Sequence, residues 1–173
     1  MFHGKPFAKT GLVSRGNPFH TMNNEWMTQA ISLAKQAAEA GEIPVGAVVV
    51  KDGRIIGTGR NNRETGHCVT GHAEINAIRE ACSALQDWRL DGCELYVTLE
   101  PCMMCTGAIL QSRISRVAFG AFDRVAGAMD SIADLTHAGF PGRVEVYCGI
   151  REQECKSVLD DFFLRMRQKS DPE

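Results

Sequence analysis

Trp26, Ala30, Ile31, Ala34 and Ala37 or Ala38 recur at the interval of one helix face, so the chain predicts a helix from Asn23 or Asn24, a capping asparagine, to about Gly41. An unbroken apolar run follows, Val45-Gly46-Ala47-Val48-Val49-Val50, as expected of a buried strand. Asp52-Gly53 is a hairpin signal and predicts a partner strand over Arg54 to Gly59. Asn61 to Gly71 is polar and aperiodic, a loop. From His72 helical spacing returns through Ile75, Ile78, Cys82 and Leu85, giving a second helix with these four toward the core. Leu95 to Leu99 predicts a strand, and a third helix headed by Pro101 runs to about Gln111, a position suited to a residue with no N–H to donate. Val117 to Gly120 and Val144 to Tyr147 add strands, and Glu152 to about Gln168 closes the chain as a helix. Strands alternating with helices predict an α/β fold, a three-layer α/β/α sandwich around a central mixed five-stranded sheet. No internal repeat or linker interrupts residues 22–173, which read as one domain.

Composition narrows the possibilities. The 173 residues can bury a sizeable core, and 44% hydrophobic and 23% charged residues are ordinary for a globular protein. A net charge of −2 excludes a generally basic nucleic-acid binder but leaves room for a local basic patch. Seven cysteines without the spacing of a small disulfide scaffold favour free or metal-bound thiols in a reducing compartment, here the cytoplasm. No apolar run reaches the length of a membrane span. Residues 1–21 hold Lys5, Lys9 and Arg15, no acidic residue and no apolar targeting core, and are expected to be a disordered leader or an extension from an upstream start.

The chemistry sits in two clusters, His72-Ala73-Glu74 and Pro101-Cys102-Met103-Met104-Cys105. One imidazole and two thiolates make three ligands for a tetrahedral zinc, leaving the fourth position for water as catalytic sites do. Both clusters open a predicted helix, where partial positive charge and free N–H groups favour thiolates. Glu74, two residues beyond His72, could take a proton from a zinc-activated water, pass it to a ring nitrogen and help an amino group leave as ammonia. This H-x-E…P-C-x-x-C order is a signature of zinc-dependent nucleobase deaminases. Each half alone has a plainer reading. Cys102 and Cys105 would suit a redox pair or half of a zinc ribbon, His72 a capping or core histidine, and Glu74 a favourable first-turn charge. His67-Cys68 lies close enough to offer a spare ligand.

From about Met22 to the last helix, the chain resembles the bacterial tRNA-specific adenosine deaminases of the cytidine-deaminase-like superfamily. The resemblance rests on Ile43 to Val50, His72 to Ile78, Leu95 to Cys105, Ser112-Arg113-Ile114, Phe119 to Asp123, Arg143 to Val146 and Asp161 to Arg167. It implies conversion of adenosine to inosine at the wobble position (34) of a tRNA anticodon, in an arginine-accepting tRNA. It also implies one Zn2+ per subunit and a homodimer with active sites near the interface. Asn61 matches the family asparagine that reads the flipped base, and the backbone at Ala73 and Glu74 completes that pocket. Asp123 matches a position near the substrate. Phe163, Arg165 and Arg167 could offer a stacking face and phosphate contacts, or else form the outer side of a helix that packs Phe162 inward. The chain departs from the common pattern at Arg124-Val125-Ala126, where many members carry a lysine, and at Cys68-Val69-Thr70-Gly71, where many read Asp-Pro-Thr-Ala. Two other functions fit the same metal motif: a guanine or cytosine free-base or nucleoside deaminase, and a zinc-binding RNA or partner module without catalysis.

Overall fold

The computed structural model describes residues 14–15, 24–137 and 143–170. The leader expected over residues 1–21 lies outside them except for Ser14–Arg15. In chain order the elements are β1 (Ser14–Arg15), α1 (Asn24–Glu39), β2 (Gly46–Lys51), β3 (Arg54–Arg60), α2 (Ala73–Leu85), β4 (Glu94–Leu99), α3 (Met103–Gln111), β5 (Arg116–Ala121), β6 (Glu145–Cys148) and α4 (Glu152–Ser170). The sheet runs β1-β6-β5-β4-β2-β3. Strand β2 is antiparallel to both β3 and β4, whereas β4, β5, β6 and β1 run parallel. The expected mixed five-stranded sheet is therefore present, with the two-residue β1 added at its β6 edge. Asp52 (φ 49°) and Gly53 (φ 70°) form the tight turn between β2 and β3, both in the left-handed region such a hairpin requires.

Alternate residues of β2 and β4 enter opposite cores, as the strand period dictates. Ala47, Val49, Leu95 and Val97 join Ala73, Ala77, Ala81 and Ile109 beneath α2 and α3. Val48, Val50 and Tyr96 join Met27, Ala30, Ile31 and Cys155 beneath α1 and α4. Burying each large aliphatic or aromatic side chain in these layers contributes about 1.5–3 kcal/mol. On α2 the inward face is Ala73, Glu74, Ala77, Ile78 and Ala81; Ile75, expected toward the core, is only half-buried. The helix is turned because small alanines let it lie on β3. A Cβ at Gly57 or Gly59 would collide with the backbone of Ala77 or Ala73, so glycine permits this close approach. Among the described residues, no helix is long and apolar enough to cross a membrane.

Candidate active site

Parallel strands β4 and β5 end at one edge of the sheet, and two helices begin there. His72 is the N-cap of α2 and Cys102 the N-cap of α3, both with extended backbone (φ −87°, ψ 149°; φ −73°, ψ 174°). Pro101 thus stands before the cap of α3 rather than in its first turn. Neither cap residue hydrogen-bonds its own helix through its side chain, the usual use of this position. Both side chains turn instead toward Cys105, one turn into α3. Cys102 Sγ is 3.7 Å and Cys105 Sγ 3.5 Å from His72 Nδ1. Zinc with bonds of about 2.3 Å to sulfur and 2.0–2.1 Å to nitrogen, at tetrahedral angles, sets sulfur and nitrogen about 3.6 Å apart. The three side chains fit such an ion, with Nδ1 as the histidine donor. Among the described residues, His72, Cys102 and Cys105 form the metal-capable cluster, their donor atoms within 4.8 Å of one another, and neither His67 nor Cys68 belongs to it.

The electrostatics suit a dication. A hydrogen bond from Cys105, aided by His72, brings the Cys102 thiol down to about 4 against the effect of burial. Sharing that hydrogen bond, together with burial and the nearby Glu74, pushes the Cys105 thiol up. A cation bound between the two sulfurs takes both as thiolates. The Cys102 contact raises the His72 imidazole although burial opposes it. Glu74 is 4% exposed, and burial pushes its carboxyl up to about 7, with the Cys102 charge adding to the rise and His72 opposing it. A buried carboxyl balanced near neutrality beside the ligands is suited to giving and taking protons. Ala73, fully buried between His72 and Glu74, places its backbone at the same helix start.

Two loops rim the cluster, and each is held by a buried glutamate to which the sequence reading gave no role. Asn61 follows β3, is 7% exposed, and donates from Nδ2 to Glu42 Oε2 at 3.2 Å. The loop onward to His72 bonds mainly to itself: Asn62 N to Gly71 O (2.9 Å), Cys68 N to Arg63 O (3.1 Å) and His72 N to Thr70 O (2.8 Å). Asn76 ties it to α2 by donating to Arg60 O and Asn62 Oδ1, both at 2.9 Å. Across the site, Glu100 gathers the loop after β5. It accepts from the backbone N–H of Asp123, Met129, Asp130 and Ser131 and from the Ser131 hydroxyl. A Cβ on Gly127 would collide with the Glu100 carboxylate. Gly127 also bridges Cys102, and Ala128 N donates to Pro101 O at 2.9 Å, so this loop braces the ligand segment. The Asp123 carboxylate accepts from Val125 N (2.8 Å) and Ala126 N (3.1 Å), which commits it to shaping its own turn.

Phe163, Arg165 and Arg167 are not brought to the cluster. They are exposed on α4, which packs on the opposite face of the sheet from α2 and α3. Phe163 meets Phe162 edge-on and Arg165 Nε donates to Asp161 O, contacts within α4 itself. Phe162 packs inward at 7% exposure, as the amphipathic reading expects. A cavity lined by Asp91, Arg113, Ser115 and Arg143 opens at the other edge of the sheet, beside the starts of β4, β5 and β6, away from the ligand cluster.

Known proteins resemble this chain in sequence and fold. The sequence pattern of the MafB19-like deaminases matches residues 21–167. The tRNA-specific adenosine deaminase of Bacillus subtilis (strain 168) is 46% identical over 150 residues, covering 86% of this chain and 93% of that protein. A structure from biochemical and structural studies of A-to-I editing by tRNA:A34 deaminases at the wobble position has a TM-score of 0.76 at 42% identity, over 79% of this chain and 100% of that one. The guanine deaminase of Bacillus subtilis is 43% identical with a TM-score of 0.56, over 69% of this chain and 71% of that one. The chain belongs to the MafB19-like deaminase family and, within it, to the tRNA-specific adenosine deaminases.

Proposed function

We propose that the chain hydrolyses adenosine to inosine at position 34 of a tRNA anticodon, in an arginine-accepting tRNA, as a cytoplasmic homodimer with one zinc ion per subunit. The observation that carries this reading is the buried Glu74 beside three converging ligand side chains, in a chain 46% identical to a tRNA-specific adenosine deaminase. His72 Nδ1, Cys102 and Cys105 would hold the zinc, which when bound supplies Lewis acidity that makes water nucleophilic at neutral pH. Glu74 takes the proton of the attacking water as its oxygen bonds to C6 of the base, and delivers it to the adjacent ring nitrogen. It next carries the remaining hydroxyl proton of the added water to the amino group, the C6–N bond breaks as the C6=O bond forms, and ammonia leaves with inosine as the product. Asn61 and the backbone at Ala73 and Glu74 would orient the base. The Asp123 turn would shape the opposite rim, and Phe163, Arg165 and Arg167 would meet more distant RNA. A base in an anticodon loop is already free of a duplex partner, so extruding it into the pocket costs little.

The rival with an observation behind it is free-base deamination, because the guanine deaminase of Bacillus subtilis is 43% identical to this chain. Incubating the enzyme separately with an adenosine-34 anticodon stem-loop, free adenosine, guanine and cytosine separates the readings. Inosine formed only in the RNA is the expected result; turnover of a free base sinks it. No turnover of any of them, with zinc bound, would leave the non-catalytic RNA or partner module.

A further inference from the structure

Glu42 sits between α1 and β2, with 1% of its surface exposed, outside the groups that bind metal or move protons. Its Oε1 accepts from Thr65 N at 2.6 Å, and its Oε2 from Glu64 N at 3.3 Å and Asn61 Nδ2 at 3.2 Å. Burial by itself would raise its carboxyl, but these donors, Thr65 foremost, more than offset that and hold it below the ordinary carboxylate range. An ionised carboxylate only accepts hydrogen bonds, so it settles which end of the Asn61 amide faces it. The amide nitrogen turns to Glu42, and the carbonyl oxygen is directed away from that carboxylate. The same charge fixes the Glu64–Thr65 backbone, one turn of the rim loop.

We propose that Glu42 is a positioning residue for the reaction: it locks the Asn61 amide in one orientation and clamps the Glu64–Thr65 turn, so that the β3–α2 loop presents a single set of hydrogen-bonding groups to the base. This rests on the proposed function, in which Asn61 reads that base. A glutamine at 42 has nearly the same shape but can donate as well as accept. Thr65 N, 2.6 Å from Oε1, keeps the glutamine oxygen on its own side, so the glutamine amide nitrogen takes the place of Oε2 and favours the Asn61 amide turned with its oxygen inward. Most molecules would then meet the base with donor and acceptor exchanged, which weakens binding of substrate and transition state alike.

Glu42→Gln should therefore raise KM for the anticodon stem-loop roughly ten- to a hundred-fold, as for loss of a hydrogen bond to a charged group, with kcat little changed and zinc content intact. In an Asn61→Ala background, the same substitution should cost less than about threefold, because the group it positions is gone. Equal effects in the two backgrounds, or a loss confined to kcat or to zinc content, would overturn the positioning role. NMR of the Asn61 side-chain amide reads the same claim without turnover. Its two Nδ2 proton signals should be well separated in the unsubstituted protein and should shift or double in Glu42→Gln; unchanged signals would also overturn it. If the unsubstituted protein turns over a free base instead, the same cycle run on that base decides, so failure of the proposed function and failure of the Glu42 role are read separately.

Discussion

Glu42 and Glu100 occupy equivalent places and hold their loops in different ways. Strands β2 and β4 are antiparallel, with Ala47 opposite Val97, so the start of one and the end of the other share the edge that carries the ligand cluster. Glu42 precedes β2, Glu100 follows β4, and both are buried. Glu100 takes four backbone N–H groups and one hydroxyl from a single loop, which lies directly against the Cys102 segment. Glu42 takes two backbone groups and one side-chain amide, that of the residue proposed to read the base. One carboxylate supports the side of Cys102 and the other the side proposed to receive the base. In a low-dielectric surrounding, gathering several N–H donors on one charge satisfies polar loops that sit against an apolar sheet.

Substitutions separate these sides from the chemical centre. Glu74→Ala should lower turnover by at least about a hundred-fold while keeping zinc, since it removes the proton carrier and no ligand; turnover close to that of the unsubstituted enzyme would remove Glu74 from the mechanism. Cys105→Ala should lose both metal and activity, and metal analysis showing one zinc per chain in that variant would redraw the ligand set. Glu100→Ala strands several buried N–H groups and should cost about 3 kcal/mol, lowering Tm by roughly 6–12 °C and weakening zinc retention. If Tm moves by less than 2 °C or so, the loop is held by something else. The smallest effect is that of acid on Glu42. Its folded pKa is depressed, so its stabilisation is complete above the unfolded carboxyl value of about 4.3 and is lost as pH falls through the lower folded value. The Thr65 amide shift should follow that titration, and a midpoint above 4.3 would contradict the clamp.

Much of the centre was legible because it depends on local rules. The Asp52-Gly53 turn, the strand runs and the two helix starts carry their own backbone preferences, and His72, Cys102 and Cys105 can be read as ligands from type and spacing. Glu42 and Glu100 were not legible in the same way. Glu42-Ile43-Pro44 leads into one apolar run and Glu100-Pro101 follows another, and each glutamate looks like an ordinary solvated charge. Its partners lie 19 to 31 residues away, a relation no local pattern encodes. A signal did exist: an acidic residue set tight against a buried strand must find donors or remain expensively unpaired. Ile75 was misplaced for a related reason. Counting large apolar residues gives one helix face, but the face that meets β3 is chosen by the alanines that fit its glycines. Asp123 matches a family position near the substrate, yet which atoms its carboxylate binds depends on a turn geometry invisible in the residue order.

The glycines of β3 carry a consequence for how the enzyme can change over time. Because α2 rests on the backbone at Gly57 and Gly59, the height of His72 and Glu74 above the sheet is set by main-chain contact and hardly by the bulk of neighbouring side chains. Substitutions elsewhere in the core can open or fill space without lifting that helix. The interior beyond this contact is therefore freer to drift in sequence while His72 and Glu74 keep their separation, and the constraint falls on Gly57, Gly59 and the alanines that face them.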